Sequence, residues 1–346
     1  MFMKMKIRIE KELHAYIKDA EKTYSLKRLS PPLFESIKEF ICRPGKRVRP
    51  ILFCIGYLGF SKKTTPGLYR SALSLELLHD FMLVHDDIID KSDTRRGLPS
   101  MHASLNETLS GNTKIRFDGE DLAIVIGDVM YAMGLDAFLS IKEEPRRKEA
   151  ALKKLISAAL YTGSGEFIEL ILGKKPIEEV SLDDIYKVYD YKTANYTFAS
   201  PLSMGSILAG AKETCTKNLF SYGMLLGRAF QIKDDIIGIF GKEKDTGKSS
   251  LTDIKEAKRT ILIWHAFNHS YKKDKEAIKK AMYGLSSDPG EFARIRRIIA
   301  ESGSLSYAKE QISRLFTQAQ EHLRASRMEK KYVNMLEDFS RKTLKA

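Results

Sequence analysis

Two short segments, His85-Asp86-Asp87-Ile88-Ile89-Asp90 and Lys233-Asp234-Asp235-Ile236-Ile237-Gly238, place carboxylates at the ends of long apolar runs. At 4 Å and an effective dielectric of about 20, two such carboxylates repel by roughly 4 kcal/mol. They are stable together only when a cation joins them or when they hold protons. Divalent metal is the economical partner, because Mg2+ takes one or two carboxylates and completes its shell with phosphate oxygens. Residues four apart stack on one helix face, so Asp86 and Asp90 point the same way. Asp87, about 100° around the helix, reaches the same ions or orients the ligands. In the second segment Asp234 and Asp235 have no third partner, because Gly238 stands where another carboxylate would stack. Two acidic faces across a helical cavity would make a diphosphate–metal site.

Basic residues recur in short groups beside these segments. Arg95-Arg96-Gly97 follows the first, and guanidinium forks bind phosphate oxygens two at a time. Pro44-Gly45-Lys46-Arg47-Val48-Arg49-Pro50 is a turn opening a helix, with Lys46 and Arg49 one turn apart as an anion cradle. It lacks the spacing of a Walker loop. His79 lies two turns before Asp86 on the same face. Lys192-Thr193, Gln231, Lys248 and Lys258 add cations and polar groups around the second acidic segment.

The 346 residues carry a formal charge of +13 with 43% hydrophobic residues, enough apolar content for a large core. No Lys/Arg tract is long enough to indicate nucleic acid, which leaves phosphorylated small molecules as the anionic partner. Cys42, Cys54 and Cys215 show no metal-ligand spacing and read as reduced thiols of a cytoplasmic protein. The N-terminal segment lacks a signal-peptide core. Leu122–Ile141 is the most apolar stretch; Asp128 and Asp136 interrupt it, so it reads as a core helix and no transmembrane segment is expected.

Helical periodicity must position these groups. It predicts helices over 8–22, 32–42, 46–60, 66–91, 120–140, 147–173, 181–190, 194–212, 216–240, 254–269, 274–285, 289–301, 304–325 and 329–343. Strand-like alternation is nearly absent. Leu152, Leu155, Ile156, Ala159 and Leu160 share one helix face, and 104–119 is polar and Gly-containing, the pattern of a mobile loop. The expectation is an all-α chain, one domain over 1–346, built as a large helical bundle around a central cavity.

The ordered set GlyLysArgValArgPro, HisAspAspIleIleAsp…ThrArgArgGly, GlyAsp at 127–128, LysThr, PheGlnIleLysAspAsp and GlyLys…Asp…LysArgThr resembles the trans-isoprenyl diphosphate synthases, or polyprenyl synthetases, from about Pro44 to Thr260. The resemblance implies the isoprenoid synthase fold, a homodimer, and Mg2+-dependent joining of isopentenyl diphosphate to an allylic diphosphate. It assigns Mg2+ to Asp86, Asp87, Asp90, Asp234 and Asp235. It assigns isopentenyl diphosphate to Lys46, Arg49, His79 and Arg96, and the allylic substrate to Arg95, Lys192, Thr193, Gln231, Lys248 and Lys258. Lys192, Thr193 and Gln231 would stabilise the allylic cation. This chain departs from the pattern at Gly238, at Glu166 and Glu169 where Gln and Asp are commoner, and in 104–119, which looks inserted.

Phe81 lies five residues, about 7.5 Å of helix rise, before Asp86, and Met82 one turn before it. The resemblance makes Phe81 a floor for the growing tail and geranylgeranyl diphosphate the product. Farnesyl or longer products, and a weakly active subunit of a heteromeric synthase, are the alternatives. A terpene cyclase would not need Lys46, Arg49 and His79. A metal-dependent phosphohydrolase would leave Lys192-Thr193 and the second acidic segment unexplained.

Overall fold

The computed structural model describes residues 2–95, 97–109, 116–241, 258–283 and 289–345. Arg96, Lys248 and residues 110–115 lie outside them. The chain is all-α, and contacts divide it into two compact units: Met1–Lys153 with Met204–Gly210, and Lys154–Ser203 with Ala211–Ala346.

The first unit contains α1 (Phe2–Tyr24), the single turn α2 (Leu26–Leu29), α3 (Pro31–Ile41), α4 (Val48–Leu58) and α5 (Leu68–Ile89). A two-stranded antiparallel ribbon, β1 (Thr94–Arg95) and β2 (Leu98–Pro99), pairs Arg95 with Leu98. Helices α6 (Met101–Leu109) and α7 (Gly119–Leu139) follow, and α8 (Pro145–Lys174) begins here. α5 and α7 form the heart of this unit, with Leu73, Leu77, Met130 and Ala137 buried. The predicted core helix is α7, which with α8 is one of two helices among the described residues that are long and apolar enough to cross a membrane by length and composition. Asp118 caps α7 by accepting the N–H groups of Glu120 and Asp121, while Asp121 accepts that of Asp118.

The expected loop at 104–119 is corrected at its beginning. Residues 104–109 belong to α6, whose Met101, His102 and Leu105 are buried at helical spacing. Asn106 Oδ1 accepts the Gly119 N–H at 2.7 Å, tying α6 to the start of α7. The polar residues are the outer face of an amphipathic helix, and the apolar anchor Met101 precedes the stretch that reads as a loop.

The second unit holds the rest of α8, then a 3₁₀ turn at Ile177–Glu179 and α9 (Leu182–Val188). α9 runs without a break through π-helical turns, Tyr189–Ala199, into α10 (Ser200–Leu208), whose residues from Met204 on belong to the first unit. The two helices expected around Lys192 are one rod, since no Gly or Pro interrupts 182–199; the Ser200 N–H bonds back five residues to Asn195. α11 (Glu213–Phe240), α12 (Ile261–His269), α13 (Lys272–Met282), α14 (Pro289–Glu301), α15 (Ser304–Ala325) and α16 (Lys330–Leu344) complete the unit. α11 packs on both the π segment and α15. A Cβ at Gly227 would overlap Ala194, so glycine brings α11 against the Lys192-Thr193 turn. Of the helix expected over 254–269, residues 254–257 lie outside the described residues, 258–260 are not helical, and the helix begins at Ile261 with Thr260 as its cap. On α8 the expected shared face divides: Leu155 is buried, whereas Ile156 and Leu160 are exposed.

Candidate active site

In the first unit, α5 ends on the acidic segment. Asp87 is buried with no exposed side-chain surface, while Asp86 keeps a quarter of its surface. The ribbon turns Arg95 back onto this helix end. Its Nε donates to Asp87 Oδ1 at 2.6 Å, its Nη2 donates to the same oxygen, and Asp86 Oδ2 lies 3.9 Å away. Burial pushes the Asp87 carboxyl above its ordinary range, although Arg95 pulls the other way. Burial works against the Arg95 cation, yet Asp87, with Asp86 and Asp90, outweighs it and holds the guanidinium charged. Asp87 Oδ2 is buried and accepts no hydrogen bond. A buried carboxylate with an open oxygen, beside Asp86 and Asp90, suits a hard divalent cation with oxygen ligands. Among the described residues no three His, Cys, Asp or Glu side chains cage an ion by themselves, so phosphate oxygens would complete its shell.

Gly127 on α7 explains the GlyAsp pair. A Cβ there would overlap the His85 ring, whose Nε2 lies 3.2 Å from the Ile124 carbonyl oxygen. His85 in turn meets Phe81 edge-on, centroids 4.6 Å apart, and Phe81 meets Tyr131 of α7 at 5.4 Å. Phe81 and Met82 are half-buried. Tyr131, which lies on another helix and was not singled out in the sequence, thus stands against Phe81, the residue expected to floor the tail.

The basic turn before α4 separates its cations by role. Arg47 is buried in a left-handed conformation (φ 51°). It donates to Glu10 at 2.9 Å, Glu76 at 2.8 Å and the carbonyls of Ile41 and Arg43. Despite burial, these carboxylates hold its pKa above the ordinary value. Arg47 therefore fastens the turn to α1 and α5 and leaves Lys46 exposed and Arg49 half-buried; His79 is buried within α5. Glu76, an acid inside the apolar run LeuSerLeuGluLeuLeu, was the available signal that a buried cation must exist.

In the second unit, the π segment and α11 build a hydrogen-bonded chain. Thr193 Oγ1 donates to Gln231 Oε1 at 2.8 Å, and Gln231 Nε2 donates to Asp235 Oδ1 at 3.0 Å. The Tyr189 hydroxyl donates to Asp235 Oδ2 and accepts the Ile261 N–H at 3.0 Å. Asp235 is buried and Asp234, one position on, is exposed. Lys192 is gripped by Glu166 at 2.5 Å and by Glu169, both from α8. Lys258 is half-buried before α12, and its neighbour Arg259 is buried, donating to the carbonyls of Gly173, Lys175 and Met282. Tyr189 and Arg259 were not singled out in the sequence; each sits beside a residue that was, doing the fastening.

The geometry defines two acidic helix ends, each with one buried aspartate and a more exposed one, alongside cations positioned by side-chain networks. The polyprenyl synthetase family model matches residues 30–300. A short chain isoprenyl diphosphate synthase of Methanocaldococcus jannaschii is 31% identical over 260 residues, covering 75% of this chain and 70% of that protein. A geranylgeranyl diphosphate synthase of Saccharolobus solfataricus is 30% identical over 292 residues, covering 81% and 80%. Among solved structures, a geranylgeranyl pyrophosphate synthase from Corynebacterium glutamicum, complexed with isoprenyl diphosphate and magnesium, superposes with a TM-score of 0.89 at 26% identity, covering 99% of this chain and 98% of that one. The molecule is an all-α prenyltransferase of the isoprenoid synthase fold. The chain belongs to the polyprenyl synthetase family.

Proposed function

We propose that this chain catalyses the Mg2+-dependent head-to-tail condensation of isopentenyl diphosphate with an allylic prenyl diphosphate, with geranylgeranyl diphosphate (C20) as product. The observation that carries this reading is the buried, open Asp87 oxygen beside Asp86 at the end of α5. Asp86, Asp87 and Asp90, and Asp234 with Asp235, would hold the metal. Bound magnesium supplies charge neutralisation to the departing diphosphate.

The chain's own residues do the rest. Arg95 donates to Asp87, opposing the effect of burial on that carboxyl, and adds a guanidinium edge for phosphate. Lys192 adds a cation to the leaving group once it exchanges Glu166 or Glu169 for phosphate oxygen. The Gln231 amide, oriented by Thr193 and Asp235, turns its dipole toward the allylic cation. Lys46, Arg49, His79 and Arg96 serve the isopentenyl diphosphate head, and Lys248 and Lys258 the allylic diphosphate. The Phe81–Tyr131 pair blocks the tail. The whole chain, 1–346, acts as one catalytic domain in the cytoplasm, and works as a homodimer. Ile156, Leu160, Phe167 and Ile171, exposed along α8, supply an apolar surface for a second copy.

The test is a turnover assay with labelled isopentenyl diphosphate, farnesyl diphosphate and Mg2+. A single C20 product is expected, lengthened in Phe81→Ala and in Tyr131→Ala. Unchanged product length in both variants would remove the aromatic floor, and absence of any condensation would remove the reading.

A further inference from the structure

A cation-lined groove lies in the second unit, formed by the face of α11 that carries Lys233, Ile237 and Phe240. Here α11, α15 and α16 enclose a groove of about 640 Å³, within the usual range of about 300–1,000 Å³ for small-molecule sites. Its walls are Ile236, Ile237 and Phe240 of α11, Ile312 and Phe316 of α15, and Leu344 of α16. Four cations line it: Lys233, Lys309, Arg341 and Lys345; among the described residues no acidic side chain does. Arg296 of α14 adds a guanidinium 5.7 Å from the Phe240 ring centroid. The groove is built rather than incidental. Lys233 Nζ donates to the carbonyls of Thr343, at 2.9 Å, and Lys345, so the end of α16 is fastened to α11 as one wall.

An apolar trough whose charged lining residues, among those described, are all basic is complementary to an apolar chain bearing a multiply charged anionic head. We propose that this groove is a second, metal-independent binding site for a prenyl diphosphate of the product class. The choice of occupant rests on the synthase reading above: the amphiphilic anion this enzyme meets at its highest local concentration is the one it releases. The head lies among Lys309, Arg341 and Lys345, and the tail runs along Ile237, Ile312 and Phe316. The residues named for head and tail are basic and apolar, so binding is expected without Mg2+, unlike at the acidic helix ends.

The test is calorimetric titration of geranylgeranyl diphosphate into the full chain in EDTA, beside Lys309→Glu/Arg341→Glu. Both substituted residues are exposed and outside the catalytic machinery. The wild type binds in EDTA, the double variant binds at least tenfold more weakly, and turnover with Mg2+ at low product is the same in both. A photoreactive prenyl diphosphate in EDTA labels α15 or α16 in the wild type only. Absence of binding in EDTA, or binding and labelling indifferent to the double substitution, overturns the site. Equal affinity for geranylgeraniol overturns the role of the cations, and equal affinity for palmitate overturns the prenyl diphosphate as occupant. Failure of turnover with Mg2+ falls on the synthase reading, since the EDTA titration reads the groove alone.

Discussion

The two acidic helix ends solve the same problem with different chemistry. At the end of α5, the buried Asp87 is neutralised by a cation, Arg95, and one of its oxygens stays open. On α11, the buried Asp235 is held by the neutral donors Tyr189 and Gln231, and both its oxygens are occupied. Lys192, a cation of the second unit, pairs with Glu166 and Glu169. The first end is thus a strongly coupled ion pair, and the second a hydrogen-bond relay that positions Gln231. Motifs that look like repeats in sequence differ in three dimensions: one buried aspartate is ion-paired with an arginine, and the other accepts hydrogen bonds from a tyrosine and a glutamine. Gly238 stands where a third carboxylate could stand, so the α11 segment carries one acidic residue fewer than the α5 segment.

Substitutions sharpen this contrast. The largest effect is expected from Arg95→Met, which strands Asp87 in the interior. Breaking one side of such a pair lowers stability by about 3–5 kcal/mol, read from urea unfolding. Next, Asp87→Asn should raise the Mg2+ concentration for half-maximal turnover by about 10–100-fold, whereas Asp235→Asn should shift it by less than about tenfold. Equal shifts would mean that the two ends hold metal in the same way. Tyr189→Phe removes one neutral donor from Asp235 and should lower stability by about 1–2 kcal/mol, less than Arg95→Met; a larger loss would show that the relay, too, balances charge.

The smallest effect lies away from both ends and serves as a control. His265 stacks on His269 and Tyr307, and its Nδ1 lies 3.0 Å from Ser304 Oγ. Burial, then His269, lowers its pKa. A histidine with a depressed folded-state pKa contributes stability above its unfolded value, about 6.5, and that contribution fades as pH falls through the folded value. Thermal unfolding between pH 7.5 and 5 should therefore show a slope that His265→Gln flattens, while the contrast between Arg95→Met and Tyr189→Phe persists at pH 7.5.

Much of this was legible in the chain itself, and the misses share a cause. Periodicity located the long helices because each buries an apolar stripe, and the acidic segments stood out because carboxylates interrupt such stripes. What escaped was the fastening. Arg47 and Arg259 sit inside the basic motifs GlyLysArg and LysArgThr and read as two more solvated cations, yet they are buried and hold main-chain carbonyls. Their partners are distant in sequence, and only folding brings them together. Tyr131 and Tyr189 escaped for the same reason: an aromatic on an apolar face looks like core until its neighbour across the helix pair is known. The π-helical rod at 189–199 has no sequence signal of its own, since local propensity does not separate it from an α-helix.

The central claim, that both acidic ends serve magnesium-dependent condensation, is tested most directly by titrating Mg2+ into turnover assays of the wild type, Asp86→Asn and Asp234→Asn. The account predicts no turnover in EDTA, and in both variants a loss of about a thousandfold, about 4 kcal/mol of transition-state stabilisation. Turnover that persists in EDTA, or an Asp234→Asn enzyme with wild-type rate and magnesium requirement, would contradict it.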